Sequence, residues 1–62
     1  MKINKVMQAN SKELVREYAI KWQNWSSEQN LSYSELLDWS IVFDALGARY
    51  DIKDELIENG II

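Results

Sequence analysis

The chain has 62 residues, seven basic and ten acidic, and contains no cysteine, histidine or proline. That length bounds it to one domain, residues 1–62, which buries only about 60 % of its unfolded surface and therefore depends on close helix packing or on a second chain. Without cysteine or histidine there is no disulfide, no thiolate or imidazole to act as nucleophile or base, and no common zinc, haem or iron–sulfur ligand set.

Residues 1–9 set Ile3, Val6 and Met7 among Lys2, Asn4 and Lys5. The alternation from Lys2 to Val6 reads as an extended or flexible N-terminal arm, with a helical extension as the competing reading. The first helix is expected over residues 11–28. Asn10 is its expected cap, accepting from the backbone N–H of Glu13 while Glu13 reaches back. Leu14, Tyr18, Trp22 and Trp25 then recur at helical spacing with Val15 and Ala19 beside them, which makes one apolar stripe. Glu17 and Lys21 form a favourable i,i+4 pair on another face. Ser26, Ser27 and Asn30 weaken the helix toward its end.

The second helix, over residues 33–46, carries a complete start signal. Ser32 is the cap, Glu35 stands three residues on, and Leu31 and Leu36 flank them as a hydrophobic staple. Leu36, Leu37, Trp39, Ile41, Val42, Phe43 and Leu46 fill more than one stripe, which marks this helix as the central one. Gly47 is expected to end it in the left-handed conformation. The third helix is expected over residues 52–59, capped by Asp51, with Asp54 and Glu55 near the positive end of its dipole. Ile52, Leu56 and Tyr50 face inward, Asn59-Gly60 stops the helix, and Ile61-Ile62 is expected to dock back on the core or on a partner. The fold class is all-α: a small three-helix bundle with a short N-terminal arm.

No enzyme is expected. No serine has a histidine partner, and neither a G-x-S-x-G elbow nor a glycine-rich phosphate loop occurs. Spaced carboxylates such as Asp54 and Glu58 read as solvated helix charge, because so short a chain has little room for a water-excluding cleft. No calcium loop of the D-x-[DN]-x-[DN]-G kind is present, so no metal site and no cofactor is expected. The first twenty residues hold no apolar run long enough for a signal peptide, and no stretch approaches membrane-spanning length, so the expected location is the cytoplasm, with no membrane partner.

Asp44–Gly60 has the outline of a helix-turn-helix, but its second helix carries Asp51, Asp54, Glu55 and Glu58 against Lys53 alone. Phosphates would repel that helix, so specific nucleic-acid binding is not expected. Charge is split along the chain: residues 1–27 carry a net +3 and residues 28–62 a net −6. The split either cancels within one fold, steers a charged partner, or favours head-to-tail pairing of two copies. The basic first helix and arm can touch phosphates without specificity. Asp51, Asp54, Glu55 and Glu58 form a candidate acidic face, and they fit an alternative function, mimicry of DNA toward a DNA-binding protein.

Seven aromatic residues crowd the chain. A tiny core needs large side chains to close, so each tryptophan reads first as core. Three short helices cannot hide every aromatic together with the aliphatic residues, and Ile20 and Ile57 lie off the main stripes. Some of this set is therefore expected at the surface, where apolar patches mark protein partners or self-association. The candidate interface is Trp22, Trp25, Trp39 and Tyr50, and the partner is another protein or a second copy in a homodimer.

The segment WQNWSSEQNLSYSELLDWSIVFDALGARYDIKDELIENGII, residues 22–62, resembles small uncharacterised proteins encoded by phages and prophages of Gram-positive bacteria. Its W-x-x-W-x-x-E-Q-N-L-S-x-x-E-L run, its aromatic–LG–x-x-Y join and its ENGII ending carry the resemblance. The resemblance implies no particular activity and transfers no functional residue. It does imply an accessory protein, acting in the host cytoplasm, that binds and redirects a host or phage protein. The leading expectation is thus a small protein–protein binding module. Acidic DNA mimicry and a purely self-associating structural protein are the alternatives.

Overall fold

Ser32 and Glu35 open the helix around which the rest of the chain is arranged. In the computed structural model, which describes residues 1–62 throughout, the Glu35 N–H donates to Ser32 Oγ at 3.2 Å. The Ser32 N–H donates in return to Glu35 Oε1 at 3.3 Å, which completes the capping box. Four helices run in chain order: α1 (Ile3–Met7), α2 (Lys12–Ser27), α3 (Tyr33–Tyr50) and α4 (Lys53–Glu58). At 1.5 Å per residue α3 is about 27 Å long, close to the 29 Å longest extent of the molecule, and each other helix packs against it. The all-α three-helix bundle with a short N-terminal arm is therefore the fold: α2, α3 and α4 are the bundle, and α1 belongs to the arm.

The arm differs from the extended or flexible reading. Residues 3–7 form a short helix, and Val6 and Ala9 are buried in the common core. A five-residue helix has negligible stability of its own, so tertiary contact holds it. One such contact is polar: Tyr50 Oη, at the far end of α3, donates to the Ala9 carbonyl at 3.0 Å.

Three boundaries also differ. Ser11, not Asn10, caps α2, its Oγ accepting from the Leu14 N–H at 3.1 Å. Gly47 does not end α3. The helix continues one more turn to Tyr50, and the left-handed residue is Asp51, at φ 59° and ψ 41°. Aspartate is among the few residues with a Cβ that accept this region readily. Asp51 consequently cannot cap α4, which begins after Ile52 without a side-chain cap. The turn is closed instead by the Ile52 N–H donating to the Gly47 carbonyl at 2.9 Å.

The core runs through all four helices and the C-terminal residues. Val6, Val15, Ala19, Trp22, Trp39, Phe43, Leu46, Ile52, Leu56 and Ile61 form one buried cluster, joined by Ala9. Docking of the terminal isoleucines is as expected, with Ile61 buried and Ile62 packed against the same cluster. Because the capping box is the local anchor of the central helix, Ser32→Ala is expected to cost about 1 kcal/mol. In a domain this small that lowers Tm by about 4–8 °C, measurable by circular dichroism.

Candidate protein-binding surfaces

The aromatic residues are divided by depth. Trp22 and Trp39 are buried and are not a surface of the folded chain, which corrects their assignment to the interface. Trp22 packs edge-on against Phe43 with ring centroids 5.6 Å apart, and Trp39 stacks on Phe43 at 6.0 Å. The buried Trp22 Nε1 has no hydrogen-bond partner in the protein, so ring packing alone holds this side chain. Trp25 and Tyr50 are half-buried. Trp25 meets Trp39 edge-on at 6.0 Å, and the Tyr50 ring lies under the Arg49 guanidinium at 5.5 Å. The four predicted interface residues therefore form no common exposed patch.

Exposed apolar side chains also occur singly, at Met7, Ile20 and Ile57, but they align on the side of α3 turned away from the core. Trp39, Phe43 and Leu46 point inward at helical spacing. Tyr33, Leu37 and Ile41, at four-residue spacing, point outward and are 80 %, 48 % and 60 % exposed. Exposed Ala45 and Ala48 extend this stripe toward the end of the helix, and Leu36 flanks its beginning. The stripe is about four turns long. Sequence patterning marks α3 as apolar on more than one side, without distinguishing the inward side from the outward one.

The candidate acidic residues are only partly available. Arg16 Nε donates to both Glu55 carboxylate oxygens, at 3.0 and 2.8 Å, and joins α2 to α4. Asp54 and Glu58 lie exposed on the outer side of α4, one turn apart, and Asp51 is exposed at the α3–α4 corner. Exposed Ile57 sits beside Asp54 and Glu58 on this outer side, as its position off the inward stripe implies. Asp44 pairs with Lys53 at 2.8 Å. That hydrogen bond, and then the Asp44 charge, hold the Lys53 ammonium above its ordinary pKa.

Two concavities complete the surface. A cleft of about 120 Å³ between α2 and α4 is bridged by the Arg16–Glu55 pair and by Gln23 Nε2, which donates to the Asn59 carbonyl at 2.8 Å. Small-molecule sites usually exceed about 300 Å³, so this cleft is a packing seam. The second is a groove of about 610 Å³ between α1 and α2, floored by Val6, Tyr18 and Trp25 and rimmed by Lys2, Lys5 and Lys21. Lys21 also pairs with Glu17 at 3.1 Å, the i,i+4 contact expected from the sequence.

No three histidine, cysteine, aspartate or glutamate side chains converge in a way that could hold a metal ion. No helix is long and apolar enough to cross a membrane. No family model, curated protein or solved structure matches the chain.

Proposed function

We propose that the chain is a protein–protein binding module whose contact surface is the outer face of α3. One observation carries this reading: Tyr33, Leu37 and Ile41 form an aligned apolar stripe, outside the core, on the longest and best-anchored helix. Exposed apolar residues scattered singly are ordinary, but a contiguous stripe on a rigid element is what a partner helix or groove packs against. Tyrosine and large aliphatic side chains supply contact area there, and the small Ala45 and Ala48 let a partner backbone approach.

The resemblance to phage and prophage proteins supports the finer reading, a modulator that acts on a host protein in the host cytoplasm. The α3 surface takes the place of the tryptophan-centred interface, because the tryptophans hold the bundle together. Acidic mimicry of DNA draws less support from the geometry. Its four carboxylates include Glu55, which Arg16 grips with two hydrogen bonds, so the face presents fewer free charges than the sequence offers.

The test is a matched pair of affinity captures from bacterial lysate, with the wild type and with Ile41→Asp. The substituted side chain is outside the core, so thermal stability should stay within about 0.5 kcal/mol of wild type. A protein retained by the wild type and lost with Ile41→Asp supports the reading. Equal retention by both would remove α3 as the surface.

A further inference from the structure

We propose that the lysine-rimmed groove between α1 and α2 receives the outer face of α4 from a second copy of the chain, so that copies associate head to tail. This inference uses surfaces separate from the α3 face and does not rest on the function proposed above.

The two surfaces are complementary in charge and in polarity. Tyr18, Trp25 and Val6 give the groove an apolar floor, and Lys2, Lys5 and Lys21 give it a cationic rim. The outer side of α4 presents the converse pattern, an exposed Ile57 beside the carboxylates of Asp54 and Glu58. At helical spacing these three residues share one face, so Ile57 can enter the groove while both carboxylates reach its rim. The charge split along the sequence, +3 over residues 1–27 and −6 over residues 28–62, acts in the same direction at long range.

The geometry makes the contact intermolecular. Tyr18, Lys21 and Trp25 lie on one face of α2, at i, i+3 and i+7. Arg16, Ile20 and Gln23, which border the seam with α4, lie on the opposite face. The body of α2 therefore separates the groove from the α4 of the same chain. A donor and an acceptor on opposite sides of one molecule give a heterologous contact, which extends into an open row or closes into a ring. α4 has only six residues, so each contact is small, and the association belongs with weak, salt-dependent encounters.

Sedimentation equilibrium on three proteins decides the matter: the wild type, a groove variant Lys2→Glu/Lys5→Glu, and an α4 variant Asp54→Lys/Glu58→Lys. All four substituted residues are exposed, and circular dichroism checks that each variant keeps its helices. The wild-type average mass is expected to rise to at least twice 7.3 kDa near a concentration of about 1 mM. In about 1 M salt, where the screening length is ~3 Å, it should fall back to the monomer. Each variant alone should remain monomeric. The equimolar mixture should recover association, because the intact groove of one variant meets the intact α4 of the other and the reversed charges of the remaining pair also attract. Ile57→Ser, which leaves every charge in place, should weaken the wild-type association as well. A wild type that stays monomeric near 1 mM overturns the proposal, as does a mixture that stays monomeric. Variants that associate as the wild type does overturn it too and redirect attention to α3, which Ile41→Asp then tests.

Discussion

Phe43→Ala should remove about 3–5 kcal/mol of stability, the range for emptying a buried aromatic site. A chain of 62 residues has on the order of 3–9 kcal/mol in total, so this one change removes at least about a third of the stability. Phe43 is 0 % exposed and forms a triangle of mutually packed rings with Trp22 and Trp39. Trp25 extends the same array through Trp39. Truncating Phe43 leaves those rings facing a void that short helices cannot close without shifting against each other. Urea titration followed by tryptophan fluorescence reads the effect directly, since two of the three tryptophans border the site. Leu37→Ala, on the outer face of α3, supplies the contrast and should stay within about 0.5 kcal/mol of wild type. If Phe43→Ala cost no more than Leu37→Ala, the ring cluster would not be what holds α2 to α3.

The same cluster shows what the sequence conveys and what it withholds. On α2, the stripe of Leu14, Tyr18, Trp22 and Trp25 with Val15 and Ala19 is legible from spacing alone. Its centre is not: the buried residues are Val15, Ala19 and Trp22, while Leu14, Tyr18 and Trp25 form a half-buried flank. Tyr18 and Trp25 of that flank line the floor of the α1–α2 groove. On α3, periodicity finds apolar residues on two sides and cannot rank them, because burial is decided by which side α1, α2 and α4 reach. Tryptophans, the residues of greatest contact area, therefore read as an interface, although Trp22 and Trp39 use that area internally. The capping box at Ser32 could be read because its parts lie within a few residues of one another. The short helix α1 could not, since its cause lies in Val6, Ala9 and Tyr50 meeting across the fold.

Gly47→Val should cost about 3 kcal/mol, the upper part of the range for overpacking a tight contact. Gly47 lies in the last turns of α3, where α4 folds back against it. A Cβ on Gly47 would stand 3.0 Å from Leu56 Cδ1 and 3.0 Å from the backbone Cα of Lys53. Leu56 can rotate away at some loss of packing, but Lys53 Cα moves only if α4 moves. A glycine near a helix end suggests a left-handed residue, yet Asp51 and Gly60 are the positive-φ positions and Gly47 is an ordinary helical one. The two explanations predict different dependences on side-chain size. If backbone conformation were the reason for glycine, alanine and valine would be penalised to a similar degree, because each carries a Cβ. If close approach is the reason, Gly47→Ala carries the 3.0 Å contacts of its Cβ, offset by up to about 1 kcal/mol of helix propensity, so its loss is smaller than that of valine. Gly47→Val adds two methyl groups at the α3–α4 contact and loses much more. A fall in Tm of more than about 10 °C for valine, with alanine within a few degrees of wild type, fits close approach. Equal losses for both would place the clash at the Cβ itself, against Lys53, and no loss for either would mean an α3–α4 contact looser than the structure shows.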